Sequence, residues 1–146
     1  MNAWSVPALF AAVCIAIHYS LLRAASGRLG DTLAALVLET SAAIGILSAY
    51  LIGLRGPATT TTRLGLFFAA SSGLAISCAS ILIFVAMRRG GAVASTGAIV
   101  LGGGVTLSAL AAPVLFGEGW SSRRALGILL GVAAILVLSR DPAIKP

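Results

Sequence analysis

Glu39 is the one carboxylate well inside an apolar run of this chain, preceded by "DTLAALVL" and followed by "TSAAIGILSAYL". At about 1.5 Å per helical residue it lies roughly 10 Å in from the start of that run. A charge at the centre of a bilayer costs about 2.5–3.5 kcal/mol on insertion scales, so a carboxylate kept there usually has a task. The chemistry open to it is reversible binding of a proton or a cation. The plainer alternative is a carboxylate near the interface, tied to Arg28. His18 is the sole histidine and lies about 7 Å before Arg23, on the same side of the membrane as Glu39. A His–Glu pair at matching depth would respond to pH, whereas a histidine bonded to a backbone carbonyl or a serine would be structural. Cys14 is one turn from His18, but two ligands do not make a metal site.

Two stripes of small residues accompany these groups. Ser95, Ala98, Gly102, Thr106, Ala109 and Pro113 recur at steps of three or four, so they share one helical face. A shorter stripe runs through Gly73, Ser77 and Ser80 to Phe84. Small faces let helices pack closely in lipid. They can equally wall a cavity, and Gly102, Gly103 and Gly104 weaken the helix at the depth where transporters bind substrate. The expected substrate- or ion-binding residues are therefore Glu39, His18, Ser77, Ser95, Gly102 and Thr106. The sequence offers no acid pair, nucleophile–base set or metal-ligand cluster, so neither an enzyme nor a cofactor is expected.

These residues need elements to hold them, and the composition says which. The 146 residues are 59% hydrophobic and 10% charged, with a mean hydropathy of +1.07. A soluble domain carries about a quarter charged residues, so this chain is read as an all-α integral membrane protein without a soluble domain. Five spans are predicted, over residues 3–22, 32–54, 64–87, 92–116 and 122–139. The first four have the ~20 apolar residues that cross a bilayer. The fifth is short, so Arg123 and Arg124 are expected to snorkel to the interface. No cation precedes the first run, so it is expected to stay as a membrane helix and not act as a cleaved signal. Trp4 and Trp120 lie at span ends, as interfacial aromatics do.

The net charge of +6 does not point to nucleic acid, because the cations sit at the edges of the apolar runs, where they anchor helix ends at headgroups. With five spans, Arg55, Arg63, Arg123 and Arg124 lie with the N-terminus. Arg23, Arg28, Arg88, Arg89, Arg140 and Lys145 lie on the other side. The excess of two favours a cytoplasmic C-terminus and is small enough to permit insertion both ways round.

The most specific stretch joins the last two spans. "FGEGWSSRRALGILLG" sets Gly117, Glu118 and Trp120 before Ser121, which is placed to cap the last helix. Glu118 sits ahead of that helix's positive end, beside Arg123 and Arg124. Gly127 and Gly131 make a GxxxG face suited to helix pairing. This order resembles the end of an EamA-like unit of the drug/metabolite transporter superfamily. Such units finish with a Gly-Glu pair, a Ser or Thr at the next helix start and a Gly-rich last helix, matched here by Gly117, Glu118, Ser121, Gly127 and Gly131. Ala86, Gly90 and Pro113 match the preceding turn and the late proline. The specific pattern covers about the last third of the chain.

The resemblance implies one five-helix unit over residues 1–146, half of a ten-helix inverted-repeat transporter in the cell's inner (cytoplasmic) membrane. One unit has too little wall to enclose a pathway, so a dimer is expected, either an antiparallel homodimer packed through Gly127 and Gly131 or a heterodimer with a second small membrane chain. Glu118 and Ser121 are expected to be structural. The small multidrug resistance relatives carry their coupling glutamate in the first helix, whereas this chain has His18 there and its acid, Glu39, in the second. The expected function is export of a small molecule. A flippase for a lipid-linked group and a non-transporting membrane subunit are the alternatives.

Overall fold

A computed structural model describes residues 5–53 and 61–140 of the chain. Trp4, Arg55 and Lys145 lie outside the described residues. Every regular element among the described residues is a helix: α1 Ser5–Ala25, α2 Asp31–Leu51, α3 Arg63–Arg88, α4 Val93–Phe116 and α5 Ser122–Leu138. The first four are each long and apolar enough to cross a membrane. With 17 residues, α5 extends about 26 Å at ~1.5 Å per residue and is the shortest. Large apolar side chains cover the outside, with Phe10 70% exposed and Val114 86% exposed. Water does not tolerate such a continuous apolar surface, and lipid does. The architecture is that of an all-α, multi-pass membrane protein.

The helices satisfy their polar groups internally, as hydrocarbon demands. Ser20, Ser41, Ser48 and Ser77 each donate a hydroxyl hydrogen to the carbonyl four residues earlier in their own helix. Pro7 falls in the first turn of α1, where its missing N–H has no intrahelical partner to lose. Asp31 and Arg23 complement the dipoles at the start of α2 and the end of α1.

The chain divides into two compact units, one formed by residues 25–85 and the other by residues 1–24 with 86–146. The first of these contains α2 and the body of α3. Ala34, Ala35, Ile83 and Phe84 are its buried apolar residues.

The second unit contains α1, the end of α3, α4 and α5. Its α3–α4 turn closes on two glycines. The Gly91 N–H donates to the Ala86 carbonyl at 3.0 Å and the Gly90 N–H to the Met87 carbonyl at 3.1 Å, a Schellman closure with Gly90 at φ +96°. Arg23 was expected to reach the headgroups. Its Nη1 instead donates to the same Met87 carbonyl at 2.8 Å, placing a cation on the negative end of α3. Met87 beneath it is fully buried. Gly90→Ala forces an L-residue into the left-handed region, at about 1–2 kcal/mol. A methyl at Gly91 would lie 2.5 Å from Thr96 Oγ1 and 2.9 Å from the Ala86 carbonyl oxygen. Both substitutions are expected to lower the thermal midpoint in detergent, Gly91→Ala the more, since it meets backbone. A Gly91→Ala protein as stable as wild type would contradict this closure.

Helices α4 and α5 run antiparallel in constant register. Gly131 lies against Thr106 and Ile135 against Gly102, while Leu138 and Ile99 line one pocket. Each step along α5 is matched by an equal step back along α4, so α5 follows its neighbour toward the start of α4. Within α4, residues Ala98–Gly102 form a π-helical turn that ends at the triple glycine. Farther on, Pro113 removes one backbone donor inside the helix. Tyr19 of α1 is buried, and its ring lies 3.5 Å from where a β-carbon on Gly97 would stand. Gly97 therefore admits the ring to the α4 backbone.

Candidate functional site

In the unit formed by residues 25–85, α2 presents Glu39 and α3 presents Ser80. The Ser80 hydroxyl lies 2.5 Å from Glu39 Oε1 and 3.0 Å from the Ile76 carbonyl oxygen. Ser80 is buried and Glu39 is half-buried. The partner of Glu39 is thus a hydroxyl of the facing helix and not Arg28. A groove of about 200 Å³ opens beside this pair, walled by Thr32, Ala35, Leu36, Glu39, Ser77 and Ile81. Glu39 is the one ionisable group in that wall.

The arrangement accommodates both protonation states of the acid. A serine hydroxyl has one hydrogen to donate and lone pairs to accept. With Glu39 ionised, Ser80 gives its hydrogen to Oε1. With Glu39 protonated, the acid can donate to Ser80 Oγ, and Ser80 turns its hydrogen to the Ile76 carbonyl. No buried donor is stranded in either case, which avoids the roughly 1–3 kcal/mol cost of an unsatisfied buried polar group.

The other expected site residues go to different places. Ser77 joins Glu39 in the groove, with its hydroxyl also bonded to the Gly73 carbonyl at 3.0 Å. His18 belongs to the other unit, half-buried, with its ring edge-on to Tyr19 at 5.7 Å. Ser95 is buried and lines a separate pocket at the start of α4. Gly102 and Thr106 were expected as cavity wall. They form the seam with α5, where Ile135 and Gly131 cover them. The reason is packing: small residues on both helices let the backbones meet, and the stripe is the less exposed side of α4.

The Gly127–Gly131 face is divided in the same way. Gly131 is used within the chain against Thr106, so it does not present the outward pairing face expected of it. Gly127 has open space around it and stays available. In the preceding loop Gly117 takes φ +65° and ends α4. The Ser121 hydroxyl accepts the Arg124 N–H at 3.2 Å, and Arg124 pairs with Glu118. Glu118 and Ser121 therefore hold the loop.

Thr96 is a pocket residue that sequence reasoning passed over, and Arg89, read there only as a span-edge cation, lines the same pocket. The signal available for Thr96 was its place beside Ser95 in the first turns of α4. No protein-family model, curated protein or solved structure matches this chain.

Proposed function

We propose that this chain is a small-molecule transporter of the inner (cytoplasmic) membrane, built as one EamA-like five-span unit and working as a dimer. The observation that carries the reading is the Glu39–Ser80 pair beside a groove otherwise apolar or hydroxylic. An acid held in a membrane helix by a hydroxyl that serves either protonation state is suited to exchange a proton or cation with a substrate. The fifth crossing is supported by the antiparallel register of α5 along α4, a helix long enough to cross. Export through an antiparallel homodimer fits the small charge bias between the two sides.

The test is reconstitution. Proteoliposomes carrying an imposed pH gradient are expected to show protein-dependent proton flux that rises with a transported amphipathic compound. Reporters fused at the C-terminus are expected to give signal from both sides of the membrane. Flux indistinguishable from empty liposomes across a broad panel of compounds counts against transport. Signal from one side alone counts against the antiparallel homodimer and favours a parallel assembly or a second small chain.

A second reading, a flippase for a lipid-linked group, draws on one feature. Helices α1 and α4 flank an open, mainly apolar groove of about 630 Å³, lined by residues such as Ala12, Ile15, Tyr19, Gly97 and Leu101. A groove of this character can carry an acyl chain while a polar group moves elsewhere.

A further inference from the structure

We propose that the pocket between the start of α4 and the end of α5 holds the phosphate of an anionic phospholipid. The pocket measures about 260 Å³ and is built from one unit of the chain. Its walls divide by chemistry. Its lining residues include Arg89 and the hydroxylic Ser95, Thr96 and Ser139, the last with its hydroxyl donating to the Leu136 carbonyl, together with the aliphatic Ile99 and Leu138. Ser95 and Thr96 are buried, so the fold fixes these two residues in the wall. Arg89 is exposed and stands immediately before the Gly90–Gly91 closure, which fixes where the chain leaves α3.

Depth gives the pocket its meaning. Arg89 precedes the first residue of α4, Val93, whereas Ile99 lies inside that membrane-crossing helix. The cation therefore sits at the membrane edge and the aliphatic flank lies farther in. A phospholipid is layered in that order, with its phosphate at the edge and its chains inward, and basic pockets between membrane helices bind such headgroups. A water molecule's share of liquid volume is roughly 30 Å³, so the pocket has room for a phosphate and several methylenes but not for two acyl chains. The chains must continue along the apolar outside of α4 and α5.

One further feature favours an anion. The residue before α4 is Ala92, which offers no side-chain acceptor to the N–H groups of the first turn. A soluble phosphate would leave the aliphatic flank uncovered, and a neutral amphiphile would leave Arg89 unmatched.

The experiment is native mass spectrometry of the full chain, released from bilayers of equal phosphatidylglycerol and phosphatidylcholine. The wild type is expected to retain phosphatidylglycerol in preference. Arg89→Gln is expected to lower that retention about fivefold, since one cation near the membrane surface is worth about 1 kcal/mol. Arg123→Gln removes an exposed cation in the first turn of α5, at the opposite end of that helix, and is expected to leave retention unchanged. Equal retention of both lipids overturns the proposal, as does an equal fall in the two variants, which would mean general charge attraction. Displacement of the lipid by millimolar glycerol 3-phosphate also overturns it, since the pocket would then serve a soluble anion.

Discussion

Gly131→Leu is expected to break the α4–α5 seam, lowering stability in detergent by roughly 1–3 kcal/mol or more, the range for overpacking a closed contact. Even the first added carbon would lie 2.5 Å from Thr106 Oγ1. Thr106 is buried and β-branched, so its side chain has few helical rotamers to retreat into. Gly131→Ala should therefore be milder than leucine yet measurable. Thr106→Ala combined with Gly131→Ala should recover much of that loss, because the methyl then meets a methyl. Additive effects in that double-mutant cycle would mean the two residues do not touch. Gly127 provides the contrast. Its surroundings are open, so Gly127→Leu should leave the fold of one chain intact. If Gly127 marks a dimer contact, that variant lowers the dimeric fraction at unchanged monomer stability, as crosslinking in membranes would read. A loss of stability from Gly127→Leu equal to that from Gly131→Leu would refute the division of the motif.

Glu39→Gln is the second large effect, and under the proposed transport function it falls on flux and not on folding. Glutamine keeps the size of the acid, and its amide can donate to Ser80 Oγ as the protonated acid does. Ser80 then holds its bond to the Ile76 carbonyl, so the local structure survives. The charge is what disappears. Flux that uses this carboxylate to carry a proton should therefore fall toward that of empty liposomes. The remaining flux should lose its dependence on pH. Ser80→Ala separates positioning from titration: it removes the partner of Glu39 and leaves the acid, so flux should weaken while still varying with pH. Circular dichroism and thermal unfolding of both variants would show that the helices are intact. Full pH-dependent flux in Glu39→Gln would remove the acid from the mechanism.

The helices were legible because apolar runs of membrane length, broken by Gly, Pro and Arg, leave little else for the chain to be. The cap at Ser121 and the Glu118 clamp were legible because they are local, each reaching only a few residues along the chain. Contacts between helices were less so. Gly102 and Thr106 looked like cavity wall because a small-residue face reads the same whether it meets another helix or open space. Only the facing residues, Ile135 and Gly131, decide between the two. Arg23 shows a similar limit. Its place at a span edge was clear, but its partner is a carbonyl 64 residues away, which no local pattern encodes. Glu39 stood out from its cost in lipid, and Ser80 had been noticed only as part of a small stripe.

The π-helical turn at Ala98–Gly102 has one more consequence. A π turn inside an α-helix accommodates a surplus residue without changing which side the following residues face. The length of α4 is therefore negotiable at this point and nowhere else along the seam. Removing one residue from within the turn would convert it to ordinary helix and leave Thr106 aligned with Gly131. The same deletion after Thr106 would swing Ala109 and Pro113 around the axis by about 100°, off the inward stripe. One stretch of this helix is thus open to a change in residue number that its neighbours must refuse.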